Sequence, residues 1–180
     1  LEQVSMESAS SGQSALRLRF ATLPGATLGQ AGIERLRLHL VGEPAYTLYY
    51  WLCRYVGKIK LRLLTQGRPA EELGLPDCKI QPFGFAKEEA LLPYPQTAFD
   101  GYRLLQEYFA FPQKFLAVDL SDLRPLARRS SATTFEILIL FTKAPPASLR
   151  VSKDHVRLFC TPIVNLFTTD SQPIQVSHER

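Results

Sequence analysis

The residue types that most often do chemistry are present in this chain, but their spacing does not group them into a site. The candidates are three histidines and three cysteines: His39, His155, His178, Cys53, Cys78 and Cys160. No Cys-x-x-Cys pair and no pair of histidines has the spacing typical of zinc ligands. The odd and scattered cysteine count favours reduced thiols over a disulfide framework. We therefore expect no bound metal and no cofactor.

Catalytic motifs are missing from the sequence as well. There is no Gly-x-Ser-x-Gly, no glycine-rich loop that could cradle phosphate and no His-Glu-x-x-His. His155 and Cys160 are five positions apart, which places them on opposite faces of a strand and prevents them from acting as base and nucleophile. These observations predict that the protein is not an enzyme.

Length and composition predict one folded domain rather than a disordered or membrane-spanning chain. The chain has 180 residues, of which 46% are hydrophobic, enough for one domain with a real core. No apolar run approaches the roughly 20 residues that a membrane helix needs, and the first residues do not form a secretion signal. We expect a cytoplasmic protein with no direct membrane insertion. The serine-rich residues 1–14 indicate a flexible leader or linker, and residues 15–180 a single β-rich domain cut from a longer protein.

Period-two alternation is the main structural signal. Leucine and other apolar residues alternate with basic ones over residues 16–20, 35–40 and 58–63, as half-buried strands require. Residues 79–85 indicate a weaker strand, in which Pro82 predicts an edge position or a bulge. Residues 115–120 and 135–141 are continuous apolar runs, typical of strands buried on both faces. Residues 156–167 form a last, kinked apolar segment.

Two helices interrupt these strands. The first is predicted over residues 44–56 and is apolar almost all round, so Trp51 should be largely buried. The second is predicted over residues 97–111, with Thr97 positioned as a cap and Pro112 ending it. No strand–helix alternation indicates a parallel sheet. The predicted fold is therefore mostly β with α insertions (α+β), an antiparallel β-sandwich-like domain with two helices.

The second helix is the richest in aromatic residues. Phe99, Tyr102, Leu105 and Phe109 form one apolar face, and Leu104, Tyr108 and Phe111 form a second. Arg103 and Glu107 belong to a narrow polar stripe, on which they can pair. Aromatic stripes at helical spacing usually belong to a core, so we expect both apolar faces to be buried. The alternative is docking on another subunit, since aromatic residues are enriched at interfaces. The candidate interface residues on this helix are Tyr102, Tyr108, Phe109 and Phe111.

The basic residues of the alternating strands form a second candidate interface. If the strands share one sheet, these side chains lie together on its outer face, with His39 among them: Arg17, Arg19, Arg35, Arg37, Lys58, Lys60 and Arg62. A solvated strand surface is the simpler interpretation. No stacking aromatic residues are interleaved with the cations, so we expect no nucleic acid. An acidic protein surface is the better functional hypothesis.

Three sequence blocks resemble a known family. They are ERLRLHL at 34–40, the long block with FGF at 83–85, LLPYP at 91–95 and FDGYRLLQEYFAFPQKFL at 99–116, and TPIVNLF at 161–167 followed by QPI at 172–174. This order resembles the TssF family, also called ImpG or VasA, of type VI secretion. One departure is Ala117-Val118, where bulkier residues are usual for the family.

The resemblance implies a structural role. Members are baseplate subunits that look like wedge proteins of contractile phage tails, and this chain would be an internal fragment. The implied partners are TssG, TssK and TssE, with a second TssF copy as a further possibility, at the cytoplasmic face of the inner membrane. The alternative that the residues leave open is an independent β-sandwich module that binds carbohydrate or protein. Such a module should expose an aromatic platform on a sheet.

Overall fold

Two antiparallel sheets form the body of the domain. The computed structural model describes residues 1–8, 13–64, 70–95, 97–127, 132–167 and 169–170. In this part of the chain the five-stranded sheet has the order β1-β2-β8-β4-β5 and the four-stranded sheet the order β6-β7-β3-β9. The strands are β1 (Gln3–Ser8), β2 (Ser14–Ala21), β3 (Leu36–Leu40), β4 (Val56–Leu64), β5 (Glu71–Gly74), β6 (Ile80–Pro82), β7 (Ala117–Leu120), β8 (Thr134–Phe141) and β9 (Val156–Arg157).

One hydrophobic core joins the two sheets. Leu18 of β2 and Leu61 of β4 are fully buried in the same cluster as Leu38 of β3 and Val118 of β7. Because side chains alternate along a strand, the basic neighbours of these leucines face away from the core. The alternation therefore predicts β2, β3 and β4 correctly, and the mostly β, antiparallel fold with α insertions is confirmed.

The central strand is β8, which lies between β2 and β4. Every residue from Phe135 to Phe141 is buried. The inward ring of Phe135 stacks on that of Phe20 with centroids 4.9 Å apart. On the outer face, Leu138 and Leu140 form a small cluster with Ala15. The prediction of a strand buried on both faces is confirmed.

Four helices connect the strands in the described residues: α1 (Leu28–Ala31), α2 (Ala45–Arg54), α3 (Asp100–Ala110) and α4 (Arg124–Ala127). Helix α2 begins directly after Pro44 and packs Leu48 and Leu52 into the core. Its other side carries Tyr46 and Tyr50, which are exposed. The helix is therefore amphipathic rather than buried all round, and Trp51 is only partly buried, against Tyr50 and Tyr55.

The sequence interpretation is wrong at three places in the strands. Residues 3–8 of the expected flexible leader form β1, which pairs with β2 along its whole length. Residues 71–74, where the alternation predicts no strand, form β5. Both are edge strands with one neighbour, and their polar residues give little hydrophobic signal. In the segment 156–167 only Val156–Arg157 is a strand, and the apolar side chains of Phe159 and Phe167 are exposed.

Candidate functional site

Helix α3 has its apolar side outward and its charged side inward. Phe99, just before the helix, is 72% exposed, Tyr102 is 71% exposed and Phe109 is 81% exposed. Arg103 and Glu107, which share the opposite stripe, are buried to 2% and 1% exposure. We call the outward residues the aromatic surface: Phe99, Tyr102, Leu105, Tyr108, Phe109 and Phe111.

A buried ion cluster explains this orientation. Glu107 accepts hydrogen bonds from Lys114 Nζ and from Arg103 Nη1, the latter at 3.2 Å. Lys114 lies in the 3₁₀ turn Pro112–Phe115 that follows the helix. Buried charges are tolerated only when they are paired, so all three must be satisfied under the helix. The polar stripe therefore faces inward, and the aromatic surface faces solvent.

The same cluster holds the loop before the helix. The other carboxylate oxygen of Glu107 accepts from the backbone N–H groups of Leu91 and Leu92, at 2.7 and 3.1 Å. Arg103 donates to the Phe85 carbonyl at 3.0 Å. Burial alone would raise the pKa of Glu107, but the Lys114 hydrogen bond and the two backbone donors outweigh it and lower that pKa. The carboxylate is therefore ionised and fixes helix, turn and loop to one another.

An apolar cleft opens next to the aromatic surface, between α2 and α3. Its volume is about 410 Å³. Tyr46 and Tyr49 of α2 form one wall, and Leu105 and Tyr108 of α3 form another. Phe115 lies at the base, in ring contact with Phe85 and Tyr108. Aromatic residues that line an open apolar cleft are typical of a protein-binding surface.

The four predicted aromatic interface residues all belong to this surface. Tyr102, Tyr108, Phe109 and Phe111 are each exposed. The favoured expectation, that both apolar faces of the helix are buried, is wrong because the buried stripe is the charged one. The helix also begins at Asp100 with Phe99 as its cap, so the predicted Thr97 cap is wrong.

Sequence reasoning missed Lys114 entirely. The available signal was the spacing of Arg103, Glu107 and Lys114, which places three charges of mixed sign on one side of the helix and its turn.

The predicted basic surface is divided between the two sheets. Arg17, Arg19, Lys58, Lys60 and Arg62 lie on the five-stranded sheet, whereas Arg37 belongs to β3 of the other sheet and Arg35 precedes it. The hypothesis of one shared face is therefore wrong.

Acidic neighbours also neutralise most of these cations. On the five-stranded sheet, Arg17 lies 2.8 Å from Glu7, and Arg62 lies 2.6 Å from Glu72 and 3.3 Å from the buried Glu136. Arg19 pairs with Glu2 and Lys60 with Glu72. Such pairs hold neighbouring strands in register and leave little net charge on the face.

The predicted cations of the four-stranded sheet, Arg35 and Arg37, both lie next to Asp119. Arg37 makes a two-point contact with Asp119 of β7, at 2.7 and 2.8 Å, and its guanidinium lies 3.4 Å from the centre of the Phe83 ring. His39, expected to face outward beside Arg37, is buried next to Phe83. Burial and, next, the positive charge of Arg37 lower the pKa of His39. His39 and Asp119 are buried and Arg37 is partly buried, so these side chains contribute to packing within the sheet.

Among the described residues, no group of three or more His, Cys, Asp and Glu side chains could hold a metal ion. Over the same ranges, no helix is both long and apolar enough to cross a membrane. The most distinctive feature of the described surface is therefore the aromatic surface of α3, which is apolar. Fold and site define a class of protein, an α+β domain that fixes a helix with its aromatic side outward.

Comparison with known proteins gives the family. Residues 2–180 match the family described as "Type VI secretion system, TssF". The type VI secretion system component TssF1 of Pseudomonas aeruginosa is 34% identical over 165 residues, which cover 90% of this chain and 26% of that protein. A chain in the cryo-electron microscopy structure of the type VI secretion system TssK-TssF-TssG baseplate subcomplex superimposes with a TM-score of 0.80 at 33% identity. That match covers 98% of this chain and 33% of the other.

The chain belongs to the TssF family of type VI secretion. It spans about a quarter to a third of the length of these two relatives.

Proposed function

We propose that this chain is part of a structural subunit of the type VI secretion baseplate wedge, and that the aromatic surface of α3 docks on another baseplate subunit. One observation carries the proposal: α3 buries Arg103 and Glu107 and leaves Tyr102 and Phe109 in solvent. Large exposed aromatic patches are uncommon on isolated domains and mark interaction sites. The role is that of a scaffold, with no catalytic activity.

The buried ion cluster suits such a role. Arg103, Glu107 and Lys114 fix the helix before any partner arrives, so little conformational entropy is lost when the surface is covered. The cleft beside Leu105 and Tyr108 offers a place for a side chain of the partner to enter. Exposed aromatic anchors around a cleft are where binding energy is usually concentrated.

TssG and TssK are the first partners to consider, because the similar solved structure is a complex of TssK, TssF and TssG. TssE and a second TssF copy are further proposed partners. The assembled protein would act on the cytoplasmic side of the inner membrane, where a baseplate could receive the sheath and the tube.

An independent carbohydrate-binding sandwich is the other function class that the sequence left open. Such modules place aromatic rings along a sheet face, where sugars stack on them. In the described residues, the outer face of the five-stranded sheet carries ion pairs such as Arg62–Glu72 around Leu138 and Leu140. No specific feature favours this second function.

The test is co-purification of the full-length protein with co-expressed TssG and TssK. We expect Tyr102→Ala with Phe109→Ala to lose at least one of the two subunits while its thermal midpoint stays that of the parent. The reason is that both side chains are already exposed, so that their removal empties no core site.

Leu23→Ala is the matched control, because Leu23 is 80% exposed and lies outside the aromatic surface. It removes an exposed apolar side chain elsewhere and should retain both subunits. Normal recovery of TssG and TssK with the double variant would exclude docking of either subunit on this surface.

A further inference from the structure

A second and larger cleft lies at the edge of the sandwich, away from the aromatic surface. Its volume is about 740 Å³. The edge of the five-stranded sheet forms one side, with β4 and the turn after β5, and edge strand β6 of the other sheet forms the opposite side. The end of α2, at Leu52 and Cys53, closes it.

Part of the cleft is an incomplete sheet edge. Within the described ranges, β5 pairs only with Lys60–Leu63, so the first residues of β4, from Val56 to Lys58, have β8 as their single neighbouring strand there. The register shifts between Val56 and Lys58, and Gly57 at that shift is exposed. An extended segment that lies along such an edge can continue the sheet.

The side chains around this edge differ on its two faces. The apolar side chains of Ile59, Leu75 and Ile80 line the cleft toward the core. The charged lining residues are Lys58, Lys60 and Lys79, and no aspartate or glutamate of the described part of the chain lines the cleft. Lys58 and Lys79 are exposed, whereas Lys60 forms an ion pair with Glu72. The cleft is therefore apolar inside and positive at its rim.

We propose that this cleft binds an extended acidic segment of a partner protein, in which apolar residues alternate with glutamate or aspartate. Successive side chains of an extended chain point to opposite sides, so one set enters the apolar interior and the other faces the lysines. Opposite charges across the contact give specificity and a fast encounter. This site is separate from the aromatic surface and does not depend on the function proposed for it.

The experiment uses the full-length protein and a fluorescent peptide in which glutamate alternates with valine. We expect saturable binding, which falls about tenfold, equal to about 1.4 kcal/mol, in Lys58→Glu with Lys79→Glu. A peptide with lysine in place of glutamate should not bind the parent protein. Lys58→Gln with Lys79→Gln gives a milder change, which keeps the test valid if the reversed variant does not fold.

The matched control is Arg150→Glu with Lys153→Glu, which reverses two exposed cations next to β9, at the opposite edge of the four-stranded sheet. This control should bind the acidic peptide like the parent. Equal loss in both charge variants would mean that only net charge matters, and unchanged binding in the lysine variants would mean that the cleft is not the site. Either outcome overturns the proposal.

Alkylation of Cys53 distinguishes the possible occupants. Cys53 lines the cleft and is exposed, and Cys160 is an exposed cysteine outside it. We expect the peptide to slow the reaction of Cys53 and leave that of Cys160 unchanged, as followed by peptide mass spectrometry. Protection of Cys53 without peptide would show that the rest of the full-length chain fills the cleft. Protection that rises with protein concentration would indicate a second copy, and both results contradict a partner segment.

Discussion

At the scale of single residues, Glu107 determines how the aromatic surface is presented. Its carboxylate is fully enclosed and bonds to Arg103, Lys114 and two backbone N–H groups. Glu107→Gln would leave two buried cations without their counter-charge. We expect it to lower the free energy of unfolding by about 3–5 kcal/mol, measured by denaturant titration. A change below about 1 kcal/mol would show that the cluster does not hold the helix.

The pH dependence of the same variant tests the charge itself. The pKa of Glu107 is lowered from 4.5 in the folded protein, so its contribution is fully present above that value and is lost as the pH falls through the lower folded pKa. The stability difference between the parent and Glu107→Gln should therefore shrink in acid. Other carboxylates titrate equally in both proteins. A difference that persists in strong acid would assign the effect to shape rather than charge.

At the scale of elements, the sequence predicts where α3 lies better than which way it faces. The spacing of Phe99, Tyr102, Leu105 and Phe109 correctly indicates a helix with an apolar side. Amphipathicity, however, only separates two faces of a helix, and burying the apolar one is the common outcome rather than a requirement. The inward side is decided here by partners outside the helix, Lys114 in the following turn and the backbone N–H groups of residues 91–92. The charge spacing points to Lys114, but the two backbone donors leave no pattern in the sequence of the helix.

Two phenylalanines of the family motif, Phe109 and Phe115, lie six positions apart and should differ in how much they contribute to stability. Phe109→Ala removes an exposed ring and should change the free energy of unfolding by less than about 0.5 kcal/mol. Phe115→Ala empties a site that is 7% exposed, between Phe85 and Tyr108, and should cost about 3–5 kcal/mol. Urea unfolding of the two variants measures both. Similar losses in the two would mean that Phe109 is part of the core after all.

The sequence also predicts some strands better than others. Alternation is informative for β2 and β4, because one face of each meets the core and the other carries charge. Edge strands β1 and β5 bury little, since β1 buries Val4 but few other side chains and β5 has no fully buried residue. Their positions are fixed by pairing with β2 and β4, a long-range property that their own residues do not encode.

At the scale of the whole molecule, the net charge of +4 is distributed unevenly. On the five-stranded sheet, Arg62 donates hydrogen bonds to both Glu72 and the buried Glu136. Lys58, in contrast, is exposed at the rim of the cleft. Arg62→Glu should therefore cost about 1–3 kcal/mol, because it removes charged hydrogen bonds and places like charges together. Lys58→Glu should cost less than about 0.5 kcal/mol. The unfolding midpoints of the two variants measure these losses of stability. Equal losses would mean that the ion pairs do not couple the strands.

The two proposed binding surfaces should also differ in their response to salt. Salt screens charges that face water, with a Debye length of about 10 Å at 0.1 M and about 3 Å at 1 M, but it does not weaken the burial of apolar area. Recovery of TssG or TssK through Tyr102 and Phe109 should therefore survive washing at about 1 M sodium chloride. Binding of the acidic peptide beside Lys58 and Lys79 should weaken steadily over the same range. Fluorescence titration and co-purification at matched salt concentrations measure the two responses. If salt released the subunits as readily as the peptide, the cations of this chain would carry subunit docking, and the aromatic surface would have to serve some other contact.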